Sequence, residues 1–528
     1  MSKGRSDVLF QLIKSMRTSE KRYFKTQNQG GARESDLKYM RLFEALDKLE
    51  RFEEEKLLAR NNWIKPTQFS NLKAHLYQKI LQSLKSYSAS SNDEIATREK
   101  IDYVQLLFDR SLYSQSFQLL EKVKKSLQGS ENLEIRLEVL KWEMILLPFT
   151  IGKNNQERVQ QIVTEANEIS ERISRINQLT SLSVELNSIY LRRGYIRNQH
   201  DFEEIRLAFK TKMPDWPEES LSFRERLLWH EIQLGYYSHI QDLENTFLHA
   251  QKWVGLFRKP PQSSLFFEMY LRGLNHLLNS QSRLGLKRDF LKTHRHLRSL
   301  ANHQVVRINE NIQIRLFKYS YAHQFNMYFM SGDFEKGCQL LGKIESRLEG
   351  YIGMIDKHSE LVLFYKIACL HFGNENYRAA LKWLNRIINS EDLDIREDVH
   401  SFARIINLIT HYELGNREVL EYAVRSTYRF LRKKDDLHQF QKEILDFIKE
   451  LSWSLTETEI IHRFSMLREK LLPISNSRFD RRAFVYFDII SWLESKIEQK
   501  SIEEIIKAKS KLPPIAFEVE HELEFNVV

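Results

Sequence analysis

Apolar residues recur at three- and four-residue spacings along nearly the whole chain, and little interrupts them. That single regularity restricts the fold to packed helices. Only 17 Gly and 9 Pro occur in 528 residues, below average usage, so the elements run long. The residues that fill them are dominated by Leu, Lys, Glu, Gln, Arg and Ala, which lose little side-chain freedom in a helix. A chain of this length exceeds what one hydrophobic core supports, so it must be several domains or an array. The expected fold class is all-α.

The turns argue for an array. Phe290, Phe334, Tyr377 and Arg417 each follow a turn and lie 44, 43 and 40 residues apart, with further turns before Tyr113, Phe202 and Leu243. A period in this range means helix pairs, none able to bury its apolar face alone, stacked on their neighbours. The expected architecture over residues 97–500 is therefore an α-solenoid of stacked antiparallel helix pairs. Pro148, Pro214, Pro217, Pro260, Pro261 and Pro473 are expected between periodic segments, where a missing N–H costs least.

One repeat carries a family resemblance. In "LVLFYKIACLHFGNENYRAALKWLNRIIN", Phe364, Ile367, Ala368 and His371, followed beyond the turn by Tyr377, Ala380 and Leu384, stand where the tetratricopeptide repeat has its signature residues. Ala368 and Ala380 are small where two helices cross closely. "FNMYFMSGDFEKGCQLLGKI" and "LFDRSLYSQSFQLLEKVKKSL" look similar, although the repeat's closing Pro is missing and the period exceeds its usual length. Stretches such as "HYELGN" and "FDIISWLESKI" are also similar to long helical proteins of an uncharacterised bacterial family. The repeat resemblance implies a non-catalytic scaffold or adaptor whose first helices line a groove for a protein or peptide. By helix position it places Asn326, Tyr365 and Tyr412 on that groove.

Charge is uneven along the chain. Of the net +9, residues 1–90 hold 18 Lys and Arg against 10 Asp and Glu, a surplus of 8. This block reads as a small basic helical bundle, with a helix-turn-helix-like trio ending in a long helix opened by Pro66 and Thr67. Lys14, Arg17, Lys21, Arg22, Lys25, Lys65, Lys73 and Lys79 read either as an ordinary solvated surface or as a patch for an anionic partner, which would make the chain a nucleic-acid-binding regulator with the repeats as sensor or dimerisation arm. A segment from Ser6 to Arg17 is amphipathic, which suits either a core helix or attachment to a membrane surface.

The end of the chain, residues 501–528, changes character. Ser501 and Glu504 form a capping box for a last helix. In the "FEVEHELEF" that follows, Phe517, Val519, His521, Leu523 and Phe525 alternate with Glu518, Glu520, Glu522 and Glu524. Period two is a strand pattern, so the segment is either a short C-terminal strand that pairs with something or a disordered tail. Its acidity and the basic N-terminal block are complementary, which raises self-association.

Chemical signatures are missing. Gly337, Gly342 and Lys343 have P-loop spacing, but Ile344 replaces the Ser or Thr that would hold magnesium, and the segment reads as helix. His294, His296 and His303 lack acidic or thiolate company and sit among Arg and Lys, so no metal is expected. No cofactor is expected and no residue set points to an enzyme. Cys338 and Cys369 read as reduced core thiols of a cytoplasmic protein, and no stretch reads as a membrane span.

Overall fold

The structure, a computed structural model, describes the chain except residues 1–7, 29–33, 51, 90–92, 151–155, 197, 262, 391–392, 435–436, 438, 451–455, 476–486 and 511–528. The described residues form α-helices joined by short turns, with two single-turn 3-10 helices and no strand. None of these helices is long and apolar enough to cross a membrane. The alternating C-terminal segment and the first two residues of the amphipathic segment, Ser6 and Asp7, lie outside the described residues.

Contacts divide the chain into two units, Met1–Ile173 and Ser174–Val528. The division falls inside the helix Gln156–Arg193, not near residue 90 as the composition suggested. The reason is that Pro66–Ala89 packs on Asp93–Phe108, which joins Tyr113–Ser126 and Leu133–Thr150 to the first unit. Residue 90 instead separates two hydrophobic clusters of that unit. The first gathers Leu9, Ile13, Phe24, Leu42, Phe43, Leu76 and Ile80. The second gathers Ile101, Val104, Leu120, Val139 and Leu146.

In the second unit a continuous core runs from Phe267 to Ile502, so residue 501 is not a boundary either. Helices come in pairs: Phe223–His239 with Leu243–Gly255, Ser264–Arg283 with Lys287–Ser299, Glu310–Ser331 with Phe334–Tyr351, Lys357–Gly373 with Tyr377–Ile388, and Glu397–Glu413 with Arg417–Lys433. Second helices thus begin at or within three residues of the turns read from sequence. The first helix of a pair also touches the first helix of the next: Ser264–Arg283 meets Glu310–Ser331, which meets Lys357–Gly373, which meets Glu397–Glu413, which meets Gln439–Glu450. Glu310–Ser331 is consequently buried on nearly every side.

Small residues set these approaches. Ala368 and Ala380 are fully buried. A Cβ on Gly337 would meet Leu370 Cδ2 at 2.5 Å, so the P-loop-like spacing belongs to a packed helix, Phe334–Tyr351. At Gly373 a Cβ would lie 2.5 Å from the Phe334 ring. A buried ring cannot swing aside as an aliphatic tip can, so Gly373→Ala is expected to cost about 1–3 kcal/mol, the usual range for an overpacked core. Thermal melting of the variant measures it, and an unchanged melting temperature refutes it.

Two prolines depart from expectation. Pro148 and Pro473 lie inside Leu133–Thr150 and Glu457–Ser475, two residues from each C-terminal end. Each proline forgoes its own N–H bond to the carbonyl four residues earlier, but so near the end only two helical residues follow and little helix is interrupted. The Ser501 capping box is formed, with Ser501 N donating to Glu504 Oε2 at 2.8 Å and Glu504 N to Ser501 Oγ at 3.2 Å.

Candidate functional site

Where successive first helices meet, a ladder of polar side chains links them. Arg272 pairs with Glu231, and Arg315 with Glu268 at 3.2 Å. His323 Nε2 lies 2.9 Å from Asn275 Oδ1. Lys318 Nζ donates to Asp356 at 2.8 Å and to Ser359 Oγ at 2.9 Å. Lys366 Nζ donates to Asn326 Oδ1. Each rung joins the first helix of one pair to the first helix of a neighbouring pair. Alongside run half-exposed side chains three and four residues apart: Glu268, Arg272, Asn275 and the exposed Asn279 on one helix, and Arg315, Tyr319 and Ala322 on the next. This spacing places them on one face of each helix.

Burial sets the protonation of the ladder. It pushes His276, with Arg272 adding to the effect, and His294 down to about 4. Burial, with Lys366 nearby, lowers His323 well below the ordinary imidazole range. The Lys366 ammonium is pushed down to about 8 by burial.

Two of the three groove residues placed by resemblance are not on an open surface. Asn326 is 8% exposed and Tyr365 3%, so neither can meet a partner. Asn326 instead serves a rung. The first-helix faces of the last two pairs are covered by the chain's own later segments: Phe487 packs on Phe372 at 5.0 Å, Phe440 on Phe402 at 6.2 Å and Phe464 on Tyr412 at 6.1 Å. Tyr412 is half-buried and lines an open cleft of about 350 Å³ with Glu413, Glu457, Phe464 and Lys496. Glu413 accepts from Trp492 Nε1 and from Lys496, both at 2.6 Å, and Glu457 accepts from the Gln499 amide, so both carboxylates are already engaged within the chain.

A second buried polar cluster lies where the helix Gln156–Arg193 ends. Arg396 Nε and Nη2 grip the two Asp398 oxygens at 2.8 and 2.9 Å, and both side chains are almost wholly buried. The guanidinium also reaches His358 Nδ1 at 3.2 Å and stacks over Tyr190, while Arg396 N donates to Leu191 O at 2.8 Å. Burial, reinforced by Arg396, drives His358 down to about 3. Every group has a structural partner, and the cluster reads as a brace. No sequence signal pointed to it, because its members are spread over more than 200 positions.

The basic N-terminal residues do not form one patch. Lys21 pairs with Asp47 at 2.7 Å and Lys25 approaches the same carboxylate at 4.0 Å, while Lys14 Nζ donates to Asp47 O at 2.6 Å. Lys73 pairs with Glu54 at 3.3 Å and lies over the Phe69 ring. These four cations tie their own helices together. Arg17 is half-buried, with its backbone N–H on Glu20, and Lys79 is half-buried; Arg22 and Lys65 are exposed. The outer face of Pro66–Ala89 carries Gln68, Asn71, His75, Gln78, Gln82 and Lys85, the last lying 3.9 Å from Asp102, so it holds one cation among neutral polar groups.

The remaining singled-out groups are occupied locally. His294 lies 3.1 Å from Ser320 O, His296 2.6 Å from Tyr270 OH, and His303 Nδ1 caps the short helix Gln304–Ile308. Among the described residues no three His, Cys, Asp or Glu side chains gather as a metal would require. Cys338 and Cys369 are thiols that form no disulfide, and burial pushes them up to about 11 and 12.

In comparisons with known proteins, no family model matches this chain, and neither a curated protein nor a solved structure matches it significantly.

Proposed function

We propose that this chain is a non-catalytic scaffold of the cytoplasm, an α-solenoid of tetratricopeptide-like helix pairs that holds a protein or peptide segment along its first helices. The ladder carries the reading. It fixes adjacent first helices to one another and leaves beside them a strip of amide, aromatic and ion-paired side chains, namely Glu268, Arg272, Asn275, Asn279, Arg315 and Tyr319. Such groups suit the backbone and side chains of an extended segment, because they offer donors and acceptors on a face that stays partly wet. The working strip lies on earlier helices than Tyr365 and Tyr412, since the chain's own C-terminal helices cover the later ones.

A photoreactive amino acid placed at Tyr319 or Asn279 of the full chain in its native cells tests this. Adducts of discrete mass are expected there and not at Tyr428, which is exposed on a second helix. Equal capture at all three positions refutes the strip as the binding surface.

A further inference from the structure

The second helix Lys287–Ser299 has an exposed basic stripe. Arg288, Lys292 and Arg295 are all exposed, and their spacing of four and three residues sets them on one face, with Asp289 the helix's one acidic residue. No carboxylate among the described residues pairs with them. The described chain ends at this helix: Lys287 Nζ donates to Ser510 O at 2.9 Å and to Ser510 Oγ at 3.2 Å. The 18 residues that follow carry Glu518, Glu520, Glu522 and Glu524.

We infer that the acidic C-terminal segment, residues 515–528, docks in cis on the basic stripe of Lys287–Ser299. Reach, spacing and charge agree. Eight residues separate Ser510 from Glu518, and an extended chain covers ~3.3 Å per residue, or about 26 Å. The stripe lies closer to the anchor than that, because a helix rises only ~1.5 Å per residue. Alternate glutamates of an extended segment recur every ~7 Å, against steps of about 6 and 4.5 Å between Arg288, Lys292 and Arg295. The Lys287 anchor raises the local concentration of the segment, so modest surface attraction suffices for occupancy. A second copy of the chain or a nucleic acid would have to displace it. The inference is independent of whether the first helices hold a peptide.

A labelled peptide of residues 511–528 serves as the probe against full-length proteins. It is expected to bind at least about tenfold more tightly to a chain carrying Glu518→Gln, Glu520→Gln, Glu522→Gln and Glu524→Gln than to the unaltered chain, whose own segment holds the stripe. Adding Arg288→Glu, Lys292→Glu and Arg295→Glu should abolish that binding, with thermal melting confirming that the altered helix is folded. The first comparison leaves every described residue unaltered, so it stands even where the second variant misfolds. Equal affinity for the unaltered and tail-neutral chains overturns docking in cis. So does an unaltered chain that sediments as an oligomer and becomes monomeric on tail neutralisation, which would assign the segment to a second copy. A single-stranded 20-mer DNA that binds both chains equally assigns the stripe to nucleic acid and likewise overturns it.

Discussion

Lowering the pH from 7 to about 4.5 is expected to unfold the second unit. His239 and His294 are buried, and burial holds both at about 4, so in the fold they stay neutral where an unfolded imidazole, at 6.5, takes a proton. The depressed folded values mean that the unfolded chain binds more protons between 6.5 and 4, and stability must rise with pH through that window. The contribution is complete above the unfolded value and is lost as the pH falls towards the folded one. Each histidine accounts for about 3 kcal/mol across such a gap. Two therefore remove about 6 kcal/mol, a large share of an ordinary domain's net stability. His276 and His323 are shifted in the same direction. Circular dichroism melts between pH 8 and 4 should show a steep fall below pH 6.5, and His294→Gln should flatten it. A melting temperature constant from pH 7 to 4.5 contradicts the assignment of neutral buried imidazoles.

Gly194→Ala is expected to be the most damaging single-methyl change in the second unit. Gly194 has φ +77, where a side chain is strained, and a Cβ there would lie 2.2 Å from Asp398 Oδ2. Asp398 cannot retreat without opening its two-point grip on Arg396, which would leave a buried guanidinium without its counter-charge. Breaking a buried pair in this way costs about 3–5 kcal/mol. Gly415→Ala isolates the cause, because Gly415 also has positive φ, +67, but nothing lies within 4 Å of its Cβ. That variant should lose only about 1–2 kcal/mol. Equal losses in denaturant melts would mean that backbone strain alone acts, and that the Arg396 brace contributes nothing measurable.

The helices and their turns were legible because both are local. Three- and four-residue apolar spacing fixed the class, and the turns before Tyr113, Leu243, Phe334, Tyr377 and Arg417 open second helices as read. Ala368 and Ala380 revealed a close crossing for the same reason. The polar strip proposed for binding was not legible. Helix position alone put Tyr365 and Tyr412 on an open face, but Phe464 and Phe487 come from far along the chain, and no local pattern announces where they land. The N-terminal lysines failed similarly, because composition counts charges without showing that Lys14, Lys21 and Lys25 all turn to Asp47. The Arg396 brace joins positions so distant that only the folded backbone brings them together.

A plain helical array unfolds as a row of near neighbours, each repeat free to open at its end. The bond from Lys287 to Ser510 spans 223 residues of sequence, and Lys507 reaches Asp333 at 3.7 Å. These contacts turn part of the row into a loop closed on itself. The last described helix, Ile502–Ser510, cannot detach without exposing the end of Glu310–Ser331, so it lacks the independence that the end of a linear stack would have. Opening the second unit then becomes a concerted event with one sharp transition, slow to begin because its most distant partners must separate first.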